Sequence, residues 1–372
     1  MKRFSLSVIT LAFLASCTST PEGFTINGEL TGEIANGTSV FLKTTDSVKR
    51  ALIEVDTASV ENGVFSFTGK ADGPQLHYLF IDGVRGNAPV ILENGSISFK
   101  AQKDSLSFAE ITGTPQNDFF MEYIGESRTL AEMSRSMNEE FRKANAPGVK
   151  DTAIIQSLQE EYKELQEKAK NFELDFLKNH PDALISTLIL DKVVSSKLLT
   201  YKEIEELFNS LSPQMQETRP GKRVKKYLED GKATAEGSVA PDFSGPDPNG
   251  GTIALQEVKG KATLIDFWAA WCKPCRIENP NIVAVYEKYK DKGLQVIGVS
   301  LDKTKEDWIN AIEMDGLLWN HVSNLQYFQD PIAQLYKIDA IPAAFLLDEN
   351  GVIVAKNLRG AELEAKVAEL LN

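Results

Sequence analysis

Cysteine and histidine are both scarce in this chain of 372 residues, with three of each. A secreted scaffold held together by disulfides would use more cysteines. Cys17, Cys272 and Cys275 therefore read as reactive groups rather than staples. A zinc site built on Cys272 and Cys275 would need further ligands, and His77, His180 and His321 form no spaced pair. No metal and no cofactor is expected, and the histidines read as surface or loop residues without a catalytic task. Positive charge is also short. Lys and Arg number 40 against 53 Asp and Glu, for a net charge of −13 spread along the chain. That leaves no basic face for nucleic acid and no polybasic contact for a membrane surface. Long apolar runs are missing too: Leu6 to Leu14 is too short to span a bilayer as a stable helix. No internal repeat is evident.

What the N-terminus does have is the set of parts of an export signal. Lys2 and Arg3 precede the apolar run, and Leu14-Ala15-Ser16-Cys17 follows it. This ending resembles the lipobox of bacterial lipoproteins. The resemblance implies a signal peptide over 1–16, lipidation of Cys17 and a tether over 17–23. It also implies a lipid-anchored protein of the cell envelope that faces the periplasm. No acidic run follows Cys17, so nothing suggests export to the outer cell surface.

Residues 24–115 read as an all-β sandwich. Short apolar or alternating runs recur, such as Ser39 to Lys43, Val64 to Phe67, His77 to Ile81 and Ile97 to Phe99. Asn62-Gly63 and Asn94-Gly95 sit between such runs and predict two hairpins, because Asn-Gly accepts the positive φ of tight turns.

From 116 to 230 the pattern becomes α-helical. Ile155, Leu158, Tyr162, Leu165, Ala169, Phe172 and Phe176 recur at steps of three and four and share one helix face. Such a stripe either pairs within the chain, against the face of Phe119, Tyr123, Leu130 and Met137, or forms the seam of a homodimer. The first is preferred, because most apolar stripes are core. Thr200 and Glu203 form a candidate capping box before Ile204. Breakers from Gly231 to Gly251 mark a linker and lead-in over 231–252. Asp247 and Asn249 within it read as turn residues, not a calcium loop.

The last region, 237–372, alternates strands and helices, which implies a mixed α/β sheet covered on both faces. Thr263 to Phe267 is an apolar strand that leads into Trp268-Ala269-Ala270-Trp271-Cys272-Lys273-Pro274-Cys275 and then a helical pattern. Two cysteines separated by two residues at a helix start can close a reversible disulfide. Unpaired N–H groups and the partial positive charge there stabilise a thiolate. Cys272 comes first and is expected to be the more exposed nucleophile. Cys275, one turn in, is expected to be the buried resolving thiol. Lys273 adds positive charge, and Pro274 fits the first turn, where its missing N–H is not needed. Asp266 lies between Ile265 and Phe267, so burial is expected, and burial raises a carboxyl's pKa.

The stretch Asp266 to Cys275 resembles the active-site segment of thioredoxins. The longer frame resembles the membrane-associated branch that includes the cytochrome-maturation reductases. It runs from Ala240-Pro241-Asp242-Phe243 through Gly260-Lys261 to Leu301-Asp302 and Ile341-Pro342. Residues 24–115 resemble the β-rich domain of unknown function found ahead of thioredoxin-like domains in some envelope lipoproteins. The resemblance implies a thioredoxin-like fold and a thiol-disulfide oxidoreductase. Cys272 and Cys275 would form the redox disulfide, and Asp266 would move a proton at the resolving thiol. Pro342 would be a cis-proline, and Trp271, Ile341 and Pro342 would meet the substrate. It further implies a disulfide-containing client protein and a membrane thiol donor of electrons. Reduction of client disulfides is the leading activity. Oxidation or isomerisation by the same site, and a binding lipoprotein with an accessory thioredoxin unit, are the alternatives. A peroxidase is disfavoured, since its cysteine usually follows a Thr or Ser by three residues and Ala269 stands there.

Overall fold

The computed structural model describes residues 21–46, 51–146, 151–196 and 198–371. The expected signal peptide, the lipidation at Cys17 and most of the tether lie outside the described residues. The chain divides into two compact units, 1–192 with 210–222, and 193–209 with 223–372.

The first unit opens with eight strands: β1 Phe24–Thr31, β2 Ser39–Thr45, β3 Leu52–Ser59, β4 Val64–Gly69, β5 Gln75–Ile81, β6 Ala88–Leu92, β7 Gly95–Gln102 and β8 Glu110–Thr112. They form two four-stranded sheets, ordered β4-β1-β7-β8 and β3-β2-β5-β6. Alternate residues face a shared core, with Ile26, Phe67, Ile97 and Phe99 from one sheet and Val40, Leu42, Leu79 and Val90 from the other. This is the period-two pattern of strands with one buried face. Gly28 pairs with Phe65 across β1 and β4. A Cβ at Gly28 would lie 2.1 Å from the Phe65 ring, so only glycine lets that ring cover the strand.

Neither Asn-Gly pair makes a hairpin within one sheet, and only Asn62-Gly63 forms the tight turn with positive φ at both residues. Asn62 and Gly63 adopt φ 52° and 79° and close a single Glu61–Val64 bridge. Beyond it β3 runs in one sheet and β4 in the other. Asn94 and Gly95 likewise carry the chain from β6 to β7 in the opposite sheet, with the Asn94 amide holding both Ala71 N and O at 2.8 and 2.9 Å. An Asn-Gly pair specifies a tight reversal. The partner each strand then takes is set by distant residues, and β4 takes β1.

Helices α1 Pro115–Ala144 and α2 Thr152–Asn179 follow. The apolar stripe of α2 finds its partner inside the chain. Tyr123 stacks on Phe172 at 5.4 Å and meets Phe176 edge-on at 5.3 Å, while Leu130, Leu158 and Leu165 are buried. Buried Asn117 fixes α1 on the sandwich by bonding Ile91 N and O at 3.0 and 2.7 Å. Four more helices come next along the chain, α3 Leu184–Ser196, α4 Tyr201–Ser210, α5 Pro213–Gln216 and α6 Arg219–Gly231, of which α5 belongs to the first unit and α4, up to Asn209, to the second. The capping box precedes α4: Thr200 N donates to Glu203 at 2.8 Å and Glu203 N donates to Thr200 Oγ1 at 3.3 Å.

In the second unit come β9 Ser244–Pro246, β10 Thr252–Ala254, α7 Leu255–Val258, β11 Ala262–Trp268, α8 Lys273–Tyr289, β12 Leu294–Ser300, α9 Lys305–Asp315, β13 Asn320–Val322, α10 Pro331–Leu335, β14 Ala343–Asp348, β15 Ile353–Lys356 and α11 Gly360–Leu371. The main sheet has the order β13-β12-β11-β14-β15. Its central strand β11 is buried along its whole length, as its apolar run requires. The segment 231–252, expected as linker and lead-in, is tied down within this unit. Gly237 N bonds Ile353 O at 2.8 Å and Ala240 N bonds Gly351 O at 2.9 Å. Strands β9 and β10 pair, with Asp247 accepting from Asn249 and Gly251 at their turn.

The histidine expectation needs correction. His77 and His321 are buried, at 4% and 3% exposure. Burial pushes the His321 imidazole down to about 4, so it stays neutral and packs as an aromatic against Trp268 and Trp319. Neutral imidazole carries little desolvation cost, which is why core histidines escape a reading that treats them as polar.

Candidate active site

Strand β11 ends at Trp268, and the chain turns through Ala269–Trp271 into α8. Two carboxylates shape this loop. Asp302, itself buried, accepts from Ala270 N at 3.1 and 3.0 Å and from Ser300 Oγ at 2.8 Å. Asp315 holds Arg276 through a two-point contact, one arm of it 2.6 Å, and Arg276 in turn donates to Ala270 O at 3.3 Å. The loop is thus fixed through both its amide hydrogen and its carbonyl.

Cys272 is the N-cap residue of α8, and its Sγ accepts from Cys275 N at 3.2 Å. Cys272 and Cys275 form a disulfide with Cα atoms 5.3 Å apart. Both cysteines are buried in this disulfide form. Cys272 is 2% exposed and Cys275 1%, and both belong to the apolar core cluster. A disulfide carries no charge to solvate, so it packs with the surrounding apolar side chains.

Asp266 lies in mid-β11, where it pairs with Gly298 of β12 and Ala344 of β14. It is 4% exposed. Burial pushes its carboxyl up to about 7, the Arg359 charge pulls it down and the Glu278 charge pushes it up. Pro342 follows a cis peptide bond from Ile341. Ala343, the next residue, pairs with Phe267, so the Ile341–Pro342 backbone comes to the same end of the sheet as the cysteine loop. Arg359 Nη2 donates to the Pro342 carbonyl at 2.6 Å.

Trp271 stands at the surface, 47% exposed, with its indole N–H on Leu301 O at 3.3 Å. Its ring meets Tyr327 at 5.0 Å and Phe328 at 6.2 Å, and Lys303 Nζ lies 4.6 Å from the Tyr327 ring centre. Tyr327 adopts φ 56°, a costly conformation for an aromatic residue. The loop that imposes it is held by buried Asp330, which accepts from Asn324 N at 2.9 Å and Ile332 N at 2.8 Å.

All the residues expected in the site except Cys17 therefore gather on β11, the start of α8 and the start of β14. Arg276, Glu278, Tyr327, Phe328 and Arg359 were not expected there. Arg276 and Glu278 lie on α8, Tyr327 and Phe328 on the segment before α10, and Arg359 on the turn before α11, and none shows a motif of its own. Asp302 was visible only as part of the Leu301-Asp302 pair.

Residues 24–120 match a domain of unknown function, DUF4369, and residues 237–356 match the AhpC/TSA family. The thiol-disulfide oxidoreductase ResA of Geobacillus kaustophilus is 34% identical over 121 residues, which are 32% of this chain and 68% of that protein. The corresponding ResA of Bacillus cereus is 33% identical over 120 residues, again 32% and 68% of the two chains. The chain belongs to the thioredoxin-like thiol-disulfide oxidoreductases. Among solved structures, the thioredoxin domain of a thiol-disulfide oxidoreductase from Bacteroides vulgatus is 42% identical; it covers 37% of this chain and 99% of that one, with a TM-score of 0.35. As a thiol-disulfide oxidoreductase the protein is an enzyme, with a β-rich N-terminal region, a central helical region and a thioredoxin-like α/β domain at its C-terminus.

Proposed function

We propose that this oxidoreductase reduces disulfides in client proteins of the cell envelope through Cys272 and Cys275. The Cys272 thiolate attacks one sulfur of the client disulfide. The client's other sulfur leaves as a thiolate, and a mixed disulfide remains. Cys275 then gives its proton to Asp266, and its sulfur attacks Cys272 Sγ. The second client thiolate leaves, and both client thiolates take up protons. Two electrons pass from the enzyme to the client, and the Cys272–Cys275 disulfide closes.

The observation that carries this reading is the position of the Cys272 sulfur at the N-terminus of α8, where Cys275 N–H donates to it. The helix end and that hydrogen bond both favour a thiolate. Asp266 supports the resolving step, because a carboxyl near 7 exchanges protons at neutral pH. Trp271 and the Ile341–Pro342 backbone flank the cysteines and would receive an extended client segment. The spent disulfide must be reopened, so a membrane thiol donor supplies electrons. The lipid anchor at Cys17 would hold the enzyme beside that donor, facing the periplasm.

Substitution separates the two cysteine roles. Cys275→Ser accumulates client joined to Cys272, visible as a reducible adduct on non-reducing gels. Cys272→Ser yields none. Adducts from Cys272→Ser instead of Cys275→Ser reverse the assignment. Oxidation or isomerisation by the same site is the second reading, favoured by the Lys273 charge beside the thiolate, and the potential of the pair decides it.

A further inference from the structure

Residues 357–360, which join β15 to α11, take no part in the exchange steps above, yet they bond both sides of the site. Arg359 Nη2 donates to Pro342 O at 2.6 Å. Gly360 N donates to Glu278 Oε1 of α8 at 2.9 Å, and Asn281 Nδ2 donates to the same oxygen at 2.8 Å. Asn357 bonds Ala344 of β14 twice, N to O at 2.8 Å and Oδ1 from N at 3.0 Å. The turn reaches these partners with Asn357 at φ 57° and Gly360 at φ 53°. One short turn thus fastens the start of β14 to the active-site helix.

We infer that Arg359 is a positioning residue for thiol-disulfide exchange: its guanidinium holds the Pro342 carbonyl, and so the backbone offered to the client, and sets a positive charge within electrostatic reach of Asp266. The inference rests on the proposed roles of Pro342 and Asp266. A hydrogen bond from a charged group to a carbonyl is among the stronger ones in a protein. Proline has no N–H of its own, so the carbonyl is the handle by which its peptide can be fixed. The charged groups that act on Asp266 are Arg359, which draws its carboxyl down, and Glu278, which pushes it up. Gly360 holds Glu278 while Arg359, its neighbour in sequence, holds Pro342. One turn therefore places both opposing charges.

The test uses the full chain with insulin as disulfide probe and dithiothreitol as electron source. Arg359→Met raises KM for insulin about ten- to a hundredfold, the scale of one lost charge-assisted hydrogen bond. It also moves the inflection of kcat against pH upward, because Asp266 loses the charge that draws its pKa down. Arg359→Lys keeps the charge, so the inflection returns toward its original place while KM stays raised. Tryptophan fluorescence confirms that each variant is folded, and Arg359→Lys carries the KM test if Arg359→Met is not. Asp266→Asn separates the two readings. If it removes the inflection and Arg359→Met changes neither KM nor inflection, the inference about Arg359 fails while Asp266 keeps its role. If it leaves the inflection in place, the role of Asp266 fails, and an unchanged KM in Arg359→Met then overturns the positioning role as well.

Discussion

At the scale of single residues, Asp266 has the most measurable consequences. Its carboxyl rises from 3.8 to about 7 in the folded chain, so between these values the native state holds a proton that the unfolded chain has released. Stability therefore falls as pH rises from about 4 to about 7, and stays level above that. Asp266→Asn removes the cost of the buried charge. At about pH 8 the variant should be more stable by up to about 4 kcal/mol, from about 1.36 kcal/mol per pKa unit. The same variant should resolve mixed disulfides more slowly. Urea unfolding followed by tryptophan fluorescence reports the stability. All four tryptophans, Trp268, Trp271, Trp308 and Trp319, lie in the second unit, so the signal is that unit's own. A variant no more stable than the parent at this pH would mean that Asp266 is better solvated than its burial indicates. Asp266 was legible in the sequence because its signal is local: an acid within an apolar strand, six residues before Cys272. Arg359 was not. Its partner Pro342 lies 17 positions away on another element, and no local pattern reports such a contact.

At the scale of elements, the start of α8 and the loop before α10 do different work. Cys272, Pro274 and the helix pattern after them form one contiguous stretch, and the sequence predicts that element because cap, first-turn proline and cysteine spacing agree. The loop from Asn324 to Asp330 carries no such agreement. Asp330 braces it by accepting from the half-buried N–H of Asn324 and the buried N–H of Ile332, and the loop sets Tyr327 against Trp271. Asp330→Ala leaves those donors unpaired in the interior, and the second unit should lose about 2–4 kcal/mol. Trp271 should also lose its ring contact with Tyr327. The urea midpoint and the tryptophan emission of the folded state should both change. A stability loss with unaltered emission would separate the cap from the aromatic contact. The Asn-Gly turns of the sandwich teach the same lesson from the other side. Turn chemistry is local, and the Asn62-Gly63 turn forms as expected, whereas strand pairing is not local, and β4 pairs with β1 rather than β3.

At the scale of the whole molecule, the chemistry occupies the C-terminal third and the remaining chain has no assigned role. The β-rich region, the helical region and the α/β domain were each legible from their periodicity, which repeats many times within each region. The proposed attachment to the membrane rests on Cys17. Intact mass of the membrane form should show a mature chain that begins at lipidated Cys17, and Cys17→Ala should release the protein from the membrane fraction. An unmodified N-terminus elsewhere contradicts the anchor. Deletion of everything after Gly237 should abolish the redox phenotype in cells. If the phenotype survives that deletion and is lost on removal of the β-rich region, the protein acts as a binding lipoprotein.

The direction of electron flow decides between reductase and oxidase, and it depends on how strongly the reduced pair is stabilised. No histidine stands between the cysteines, and Pro274 directly precedes Cys275, as in reducing members of the superfamily. Lys273 acts in the opposite sense by favouring the thiolate. Equilibration of the purified protein with glutathione buffers of known ratio, read as the fraction of Cys272–Cys275 disulfide, gives the reduction potential. The account predicts a value nearer to about −270 mV than to about −120 mV. A value above about −180 mV would contradict it and make the protein an oxidase or isomerase.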